Sequence, residues 1–276
     1  MCQSKAQGGL RCSNSAKAVL DEAIASGDEK AIKAAKIEYL TSNAGIKSLR
    51  DQGKNELAER FARRREILMQ QNQREWRKEN GISVALDIDN TTADFTGAFR
   101  ASLATKYGLS REEALERYPE PEDYDMSTWF AGGRDEFFKE FKEAEARGGL
   151  YSNMKIFSQA RKEITGLHND GYTIHFVTAR IPEFNDETKL ALRKYRLPYH
   201  LLKHTEEKHN HDAHLFVDDA PKQISTLTLH GKKVVAYHNL YNAHQTEGVA
   251  RVKVWDGMSK VVHEHTAPVG EKTAHF

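Results

Sequence analysis

From Ser13 to about Asn80 the apolar positions keep helical time. Ala16, Val19, Leu20, Ala23 and Ile24 fall at i, i+3, i+4, i+7 and i+8, the spacing of one amphipathic helix face. Gly27 closes that run, and Asp28 stands where its carboxylate can cap a second helix carrying Ile32, Ala35 and Leu40. A third, longer helix is expected over Glu56 to Lys78, with Leu57, Phe61, Leu68 and Trp76 as its apolar positions. The arginine run 63–65 within it reads as a solvated face, with phosphate contact as the competing reading. Residues 1–12 read as a loose tail.

Glu79-Asn80-Gly81 breaks the helix, and the pattern changes to short β-branched runs: SVALDI at 83–88, YTIHFVT at 172–178, AHLFVDD at 213–219 and KKVVAYH at 232–238. A weaker run, YHLLK at 199–203, follows Pro198. Helical patterns separate these runs, so the expected fold is α/β, a Rossmann-like parallel sheet covered on both faces. The stretch at about 93–152, between the first two strands, is too long for a simple crossover and reads as an inserted helical cap. The domain reading is therefore a tail and helical region over 1–80 and an α/β domain over 81–276.

Composition narrows the class only a little. Lys+Arg 41 against Asp+Glu 40 implies no global field for nucleic acid. No apolar run approaches the roughly 18 residues of a membrane span, and the N-terminus MCQSKAQGGLRCSNS has no signal-like apolar stretch. Cys2 and Cys12, the only cysteines, make no disulfide framework. The expectation is a soluble cytoplasmic protein.

The chemistry collects at strand ends. Asp87 and Asp89 close the first strand, Thr178 the second, and Asp218 and Asp219 the fourth. In an open parallel sheet these ends share one edge, where ligands bind at the switch in strand order. Residues i and i+2 of an extended segment point to one side, so Asp87 and Asp89 face the same space. A turn beyond the strand would aim backbone N–H groups of 89–91 at an anion. Clustered carboxylates with hard oxygen donors suit Mg²⁺ better than zinc. His204, His209, His211 and His214 have no accompanying cysteine and no zinc-site spacing, so a zinc site there is not expected.

DIDNT at 87–91, VTAR at 177–180, a downstream lysine and VDDAP at 217–221 resemble, in that order, the four motifs of the haloacid dehalogenase (HAD) superfamily. The resemblance spans about residues 82–240. It implies Asp87 as nucleophile, Asp89 as general acid/base and Thr178 as a phosphoryl ligand. It also implies Mg²⁺ held by Asp87, Asp218, Asp219 and the backbone carbonyl of Asp89. The lysine is Lys203 or Lys208; the ten-residue spacing from Lys208 to Asp218 resembles the 5'(3')-deoxyribonucleotidase branch and favours Lys208. TADFTGAF at 92–99 and KYRLPYHLLKHTEEK at 194–208 resemble that branch as well. The implied activity is phosphomonoester hydrolysis through an aspartyl-phosphate on a small phosphorylated substrate, a nucleotide in this branch. The alternatives are a polynucleotide 3'-phosphatase or another small-molecule HAD phosphatase. A third, non-catalytic alternative is a phosphate-binding or structural accessory protein. A nucleic-acid partner stays open, as does the oligomeric state. Expected substrate contacts are Asn90, Thr91, Phe95, Trp129 and Arg180. Phe95, Tyr124, Trp129 and Phe130 suit base stacking, against the plainer reading that they form the cap's own core.

Overall fold

The computed structural model describes residues 13–267, so the tail expected over residues 1–12, with Cys2 and Cys12, lies outside the described residues. The chain divides into two compact units, with the break between Gly81 and Ile82.

The first unit is helical: α1 (Ser13–Ser26), α2 (Glu29–Leu40), α3 (Asn43–Asp51) and α4 (Asn55–Glu79). The Asp28 carboxylate accepts from the N–H groups of Lys30 at 2.9 Å and Ala31 at 3.1 Å, donors that have no carbonyl inside the helix. The periodicity predicts three helices here, and α3 is an addition. It spans 9 residues, too few to establish a repeat by eye. Ser42 caps it, accepting from the Gly45 N–H at 3.1 Å. A β-carbon on Gly45 would lie 2.1 Å from the Tyr39 carbonyl oxygen, so glycine is what lets α3 fold back on the end of α2. Ile46 and Leu49 then bury against Ala58 of α4, flanked by Leu40, Phe61 and Ala62. Burying each of those aliphatic side chains contributes about 1.5–3 kcal/mol. Arg63 and Arg64 are exposed on α4.

The second unit is built on six parallel strands: β1 (Ser83–Leu86), β2 (Thr173–Thr178), β3 (Leu201–His204), β4 (Leu215–Asp218), β5 (Val234–Tyr237) and β6 (Ala250–Val252). Their order across the sheet is β3-β2-β1-β4-β5-β6, parallel at every pairing. Five of these match the apolar runs. β6 is a half-buried edge strand of Ala, Arg and Val, held by pairing with β5 and too short and polar to announce itself. Every residue of β1, β4 and β5 is buried, as expected for central strands covered on both faces. One packed layer joins Ala85, Val177, Phe216, Val234 and Ala236 of the sheet region to Ile224 and Leu227.

Between β1 and β2 the chain leaves the sheet through α5 (Phe95–Tyr107), α6 (Arg111–Arg117), α7 (Gly133–Gly148) and α8 (Leu150–Asn153). The exit and return are stitched together. Asp94 N–H donates to Lys155 O at 2.9 Å, Phe157 N–H donates to Thr92 O at 3.0 Å, and Ala93 and Ile156 form an antiparallel bridge. The inserted segment therefore hangs from one point beside the end of β1. The remaining helices are α9 (Ala160–Asn169), α10 (Asn185–Lys194), α11 (Pro221–Leu229) and α12 (Met258–Thr266). Strand order reverses between β1 and β4, since β2 and β3 extend one way from β1 and β4 to β6 the other. That reversal places a crevice at the carboxyl ends of β1 and β4. Among the described residues, no helix is long and apolar enough to cross a membrane.

Candidate active site

Asp87 follows the last residue of β1, and its N–H continues the ladder by donating to Val217 O of β4 at 2.9 Å. This register sets the Asp87 carboxylate beside Asp218 and Asp219 at the end of β4. Carboxylate oxygens of the three aspartates lie within 4.8 Å of one another, and all three residues are buried, Asp218 and Asp219 at 1% exposure. Three carboxylates cannot share such a space without compensation. Burial raises the Asp87 pKa well above the ordinary carboxylate range, with Asp218 and Asp219 adding to it and Lys208 opposing. Burial, and then Asp218, pushes Asp219 up to about 7.

Lys208 is the internal counter-charge. It is 2% exposed, and its Nζ donates to Asp87 Oδ1 at 2.6 Å and Asp218 Oδ2 at 2.7 Å. Burial alone would lower its proton affinity, but Asp218 and Asp87 outweigh burial and raise it above the usual lysine value. Lys203 instead lies on β3, paired in register with Val177, so geometry selects Lys208 between the two.

A ring of neutral groups surrounds Asp219. Thr91 Oγ1 donates to Asp219 Oδ1 at 2.7 Å, Asn239 Nδ2 to Oδ2 at 3.3 Å, and the Tyr241 hydroxyl also donates to Oδ2. Trp255, fully buried, holds the Thr91 carbonyl through its Nε1 at 2.7 Å. Asn239, Tyr241 and Trp255 escaped the sequence reading. Asn239 and Tyr241 follow the end of β5 as the aspartates follow β4, so strand-end position was the available signal; Trp255 had none.

Asn90 turns the chain with φ 54°, a left-handed conformation that asparagine tolerates better than most residues. Its N–H donates to Ala93 O at 2.7 Å, and its side-chain oxygen accepts from Thr96 N–H at 3.0 Å. The amide oxygen is therefore engaged within its own loop, and the side chain also meets the Tyr241 hydroxyl. Thr178 ends β2, buried at 1%, and its Oγ1 accepts from Arg180 N–H at 3.3 Å.

Arg180 is paired with a site carboxylate. Its guanidinium grips Asp89 with two bonds, Nε to Oδ2 at 2.8 Å and Nη2 to Oδ1 at 2.7 Å. The Arg180 side chain is 1% exposed, and that of Asp89 is 26% exposed. Phe95 is 7% exposed and packs against Phe99, Phe141 and Tyr151 at 6.0–6.3 Å. Phe130 is likewise buried. Trp129 stacks on Phe99 at 6.2 Å and lies against Tyr118 and the Arg100 guanidinium. These three rings form the inserted segment's own aromatic cluster, with Phe95 and Phe130 buried in it and Trp129 half-buried.

Tyr124 differs from them. It is 51% exposed, yet its hydroxyl end faces protein, where burial and the field of Asp219, Asp87, Asp218 and Asp89 raise its pKa. Its ring meets Tyr241 edge to face at 5.4 Å, joining the inserted segment to the β5 end.

The histidines disperse among other partners. His211 bonds His175 at 2.9 Å, His214 bonds Ser83, His204 bonds Arg180 O, and His209 stacks on His230. Among the described residues, the His, Cys, Asp and Glu group close enough to hold a metal is Asp87, Asp218 and Asp219. Its donors are all carboxylate oxygens, and Lys208 alone contacts two of the three acids. A buried excess of negative charge with oxygen donors fits a hard divalent cation.

The sequence and the fold are both similar to those of known proteins. Residues 80–266 match the family described as 5' nucleotidase, deoxy (pyrimidine), cytosolic type C protein. A Chlorobaculum tepidum protein named "Putative 5'(3')-deoxyribonucleotidase" is 26% identical over 175 residues, covering 61% of this chain and 85% of that protein. A crystal structure titled "Putative Phosphatase from Clostridium difficile" shares the fold, with TM-score 0.51 and 15% identity over 65% of this chain and 97% of that one. A HAD-superfamily hydrolase from Geobacter sulfurreducens also aligns, at TM-score 0.44 and 14% identity, over 66% of this chain and 96% of that one. With the match covering more than half of the sequence, the chain belongs to the cytosolic type C 5'-nucleotidase family, a HAD-fold group of phosphoric monoester hydrolases.

Proposed function

We propose that this chain is a Mg²⁺-dependent cytoplasmic nucleotidase that hydrolyses deoxynucleoside monophosphates through an aspartyl-phosphate on Asp87. The observation that carries the reading is Lys208 bridging Asp87 and Asp218 within a buried three-carboxylate cluster at the switch in strand order. A degenerate, non-catalytic relative would have no reason to maintain so costly a buried arrangement.

In this reading Asp87 attacks phosphorus, forming an O–P bond as the bond to the ester oxygen breaks. Asp89 donates a proton to that departing oxygen, releasing the nucleoside. It then takes a proton from the water that attacks the aspartyl-phosphate, which releases inorganic phosphate and restores Asp87. Thr178 and Lys208 hold phosphoryl oxygens at the strand ends. A magnesium ion held by Asp87, Asp218, Asp219 and the Asp89 carbonyl would offset the repulsion between the two reacting anions. Neutral donors from Thr91, Asn239 and Tyr241 fix Asp219.

Nucleotide selectivity is supported by the family description and by the name of the Chlorobaculum relative. Tyr124, exposed and within the field of the site aspartates, is an aromatic surface open to a base. The test is turnover of a panel containing deoxynucleoside monophosphates, sugar phosphates and a 3'-phosphorylated oligonucleotide, each with Mg²⁺ and with EDTA. The proposal expects nucleotides to be preferred and EDTA to remove activity. Replacing Tyr124 with Ala should cost nucleotides about 1–3 kcal/mol, the loss of one base–aromatic stack, and spare a small aryl phosphate. Full activity in EDTA, or preference for the oligonucleotide, contradicts it.

A further inference from the structure

Arg180 occupies a position where a phosphate ligand would be looked for, two residues beyond Thr178, but its donors point elsewhere. Nε and Nη2 form the two-bond fork with Asp89. Nη1 donates to Thr188 Oγ1 at 3.0 Å, and that hydroxyl in turn donates to Phe184 O at 2.7 Å. Nη2 also approaches Met154 Sδ at 3.6 Å. The Tyr151 ring covers one guanidinium face, its centroid 3.8 Å from Cζ. With its side chain 1% exposed, the group has neither a free edge nor an open route toward a phosphoryl group.

Asp89 is the reverse case. It is partly open to the cleft, and a carboxylate on a short side chain otherwise swings freely about its two torsions. A planar fork that matches both oxygens removes that freedom. Each carboxylate oxygen can accept at two sites, so the fork takes one on each and leaves another free to carry the proton handed to the departing oxygen, or to accept from a water. A single-point ammonium could neutralise the charge but could not fix the plane.

We propose that Arg180 is a positioning residue for the leaving-group acid, anchored by Thr188 and Tyr151 so that its fork holds Asp89 in one orientation, and that it does not bind the transferring phosphoryl group. This rests on the reading of Asp89 as general acid. It also links two parts of the fold, because Tyr151 belongs to α8 of the inserted segment and Thr188 to α10.

The test compares kcat/KM for two substrates: a deoxynucleoside monophosphate, whose alkoxide leaving group needs a proton, and 2,4-dinitrophenyl phosphate, whose leaving group does not. Asp89→Asn should lose most of its rate on the first substrate and little on the second. Arg180→Lys keeps the charge but not the fork, and should show the same pattern with a loss on the order of 10²-fold on the nucleotide, the cost of misplacing a reacting group. Thr188→Val, a milder change that leaves the fork in place, should lose less in the same direction. Adding Arg180→Lys to Asp89→Asn should cost nothing further. An equal loss on both substrates for Arg180→Lys overturns the proposal, since a phosphate ligand or a purely structural residue serves both esters alike. If Asp89→Asn itself shows no leaving-group dependence, the acid reading fails first, and the positioning role fails with it. If only Arg180→Lys lacks that dependence, the positioning role alone fails.

Discussion

Lys208 ties the site's chemistry to the stability of the fold in one side chain. It is buried between two carboxylates, and removing one partner of such a pair leaves uncompensated charge that costs about 3–5 kcal/mol. Lys208→Met should therefore both abolish turnover and lower the denaturant midpoint. A variant with an unchanged midpoint would mean that the pairs contribute nothing to stability. Asp87, Asp89, Thr178, Asp218 and Asp219 were legible in the sequence because strand-end position is fixed by local pattern. Arg180 was legible as a site residue but not in its role, since its partners Asp89, Thr188 and Tyr151 are set by tertiary packing. Phe95 shows the same limit: an aromatic near a motif is equally a core residue, and only burial decides.

At the scale of elements, β2 and the turn before β4 are joined by the His175–His211 bond. Burial, with repulsion from His211 and His200, pushes the His175 pKa down to about 4; burial and Lys203 lower that of His211. The folded protein then binds fewer protons than the unfolded chain between about pH 6.5, the unperturbed value, and pH 4. Stability from this pair is full above that window and falls as pH drops through it. His175→Gln should lose less stability than wild type between pH 7 and pH 5 in denaturant titrations; parallel losses would show that the pair does not titrate as described. The apolar runs located β1 to β5 because central parallel strands are buried on both faces. β6 and α3 were illegible because neither is long enough to display a period, and both depend on neighbours: β6 on pairing with β5, α3 on the space that Gly45 leaves beneath Tyr39.

For the whole molecule, the break at Gly81 coincides with the change from helical to β-branched patterning, and the unit beginning at Ile82 contains every site residue described above. A fragment starting there should fold cooperatively and retain turnover, because its sheet has its own buried core; a molten or inactive fragment would mean that the helical region completes the enzyme. The length of the segment between β1 and β2 made the insertion legible, and a core made of its own aromatics was among the readings of its rings, whereas its contact with the β5 end through Tyr124 and Tyr241 was not, since it joins residues distant in sequence. Catalysis by the proposed route phosphorylates Asp87. The most direct measurement is to quench the enzyme with acid during turnover of a deoxynucleoside monophosphate, reduce with borohydride, and map the peptides by mass spectrometry. Homoserine is expected at position 87 in wild type, and none in Asp87→Asn. Turnover that leaves Asp87 unmodified, or a reduced acyl phosphate at another aspartate, would contradict it.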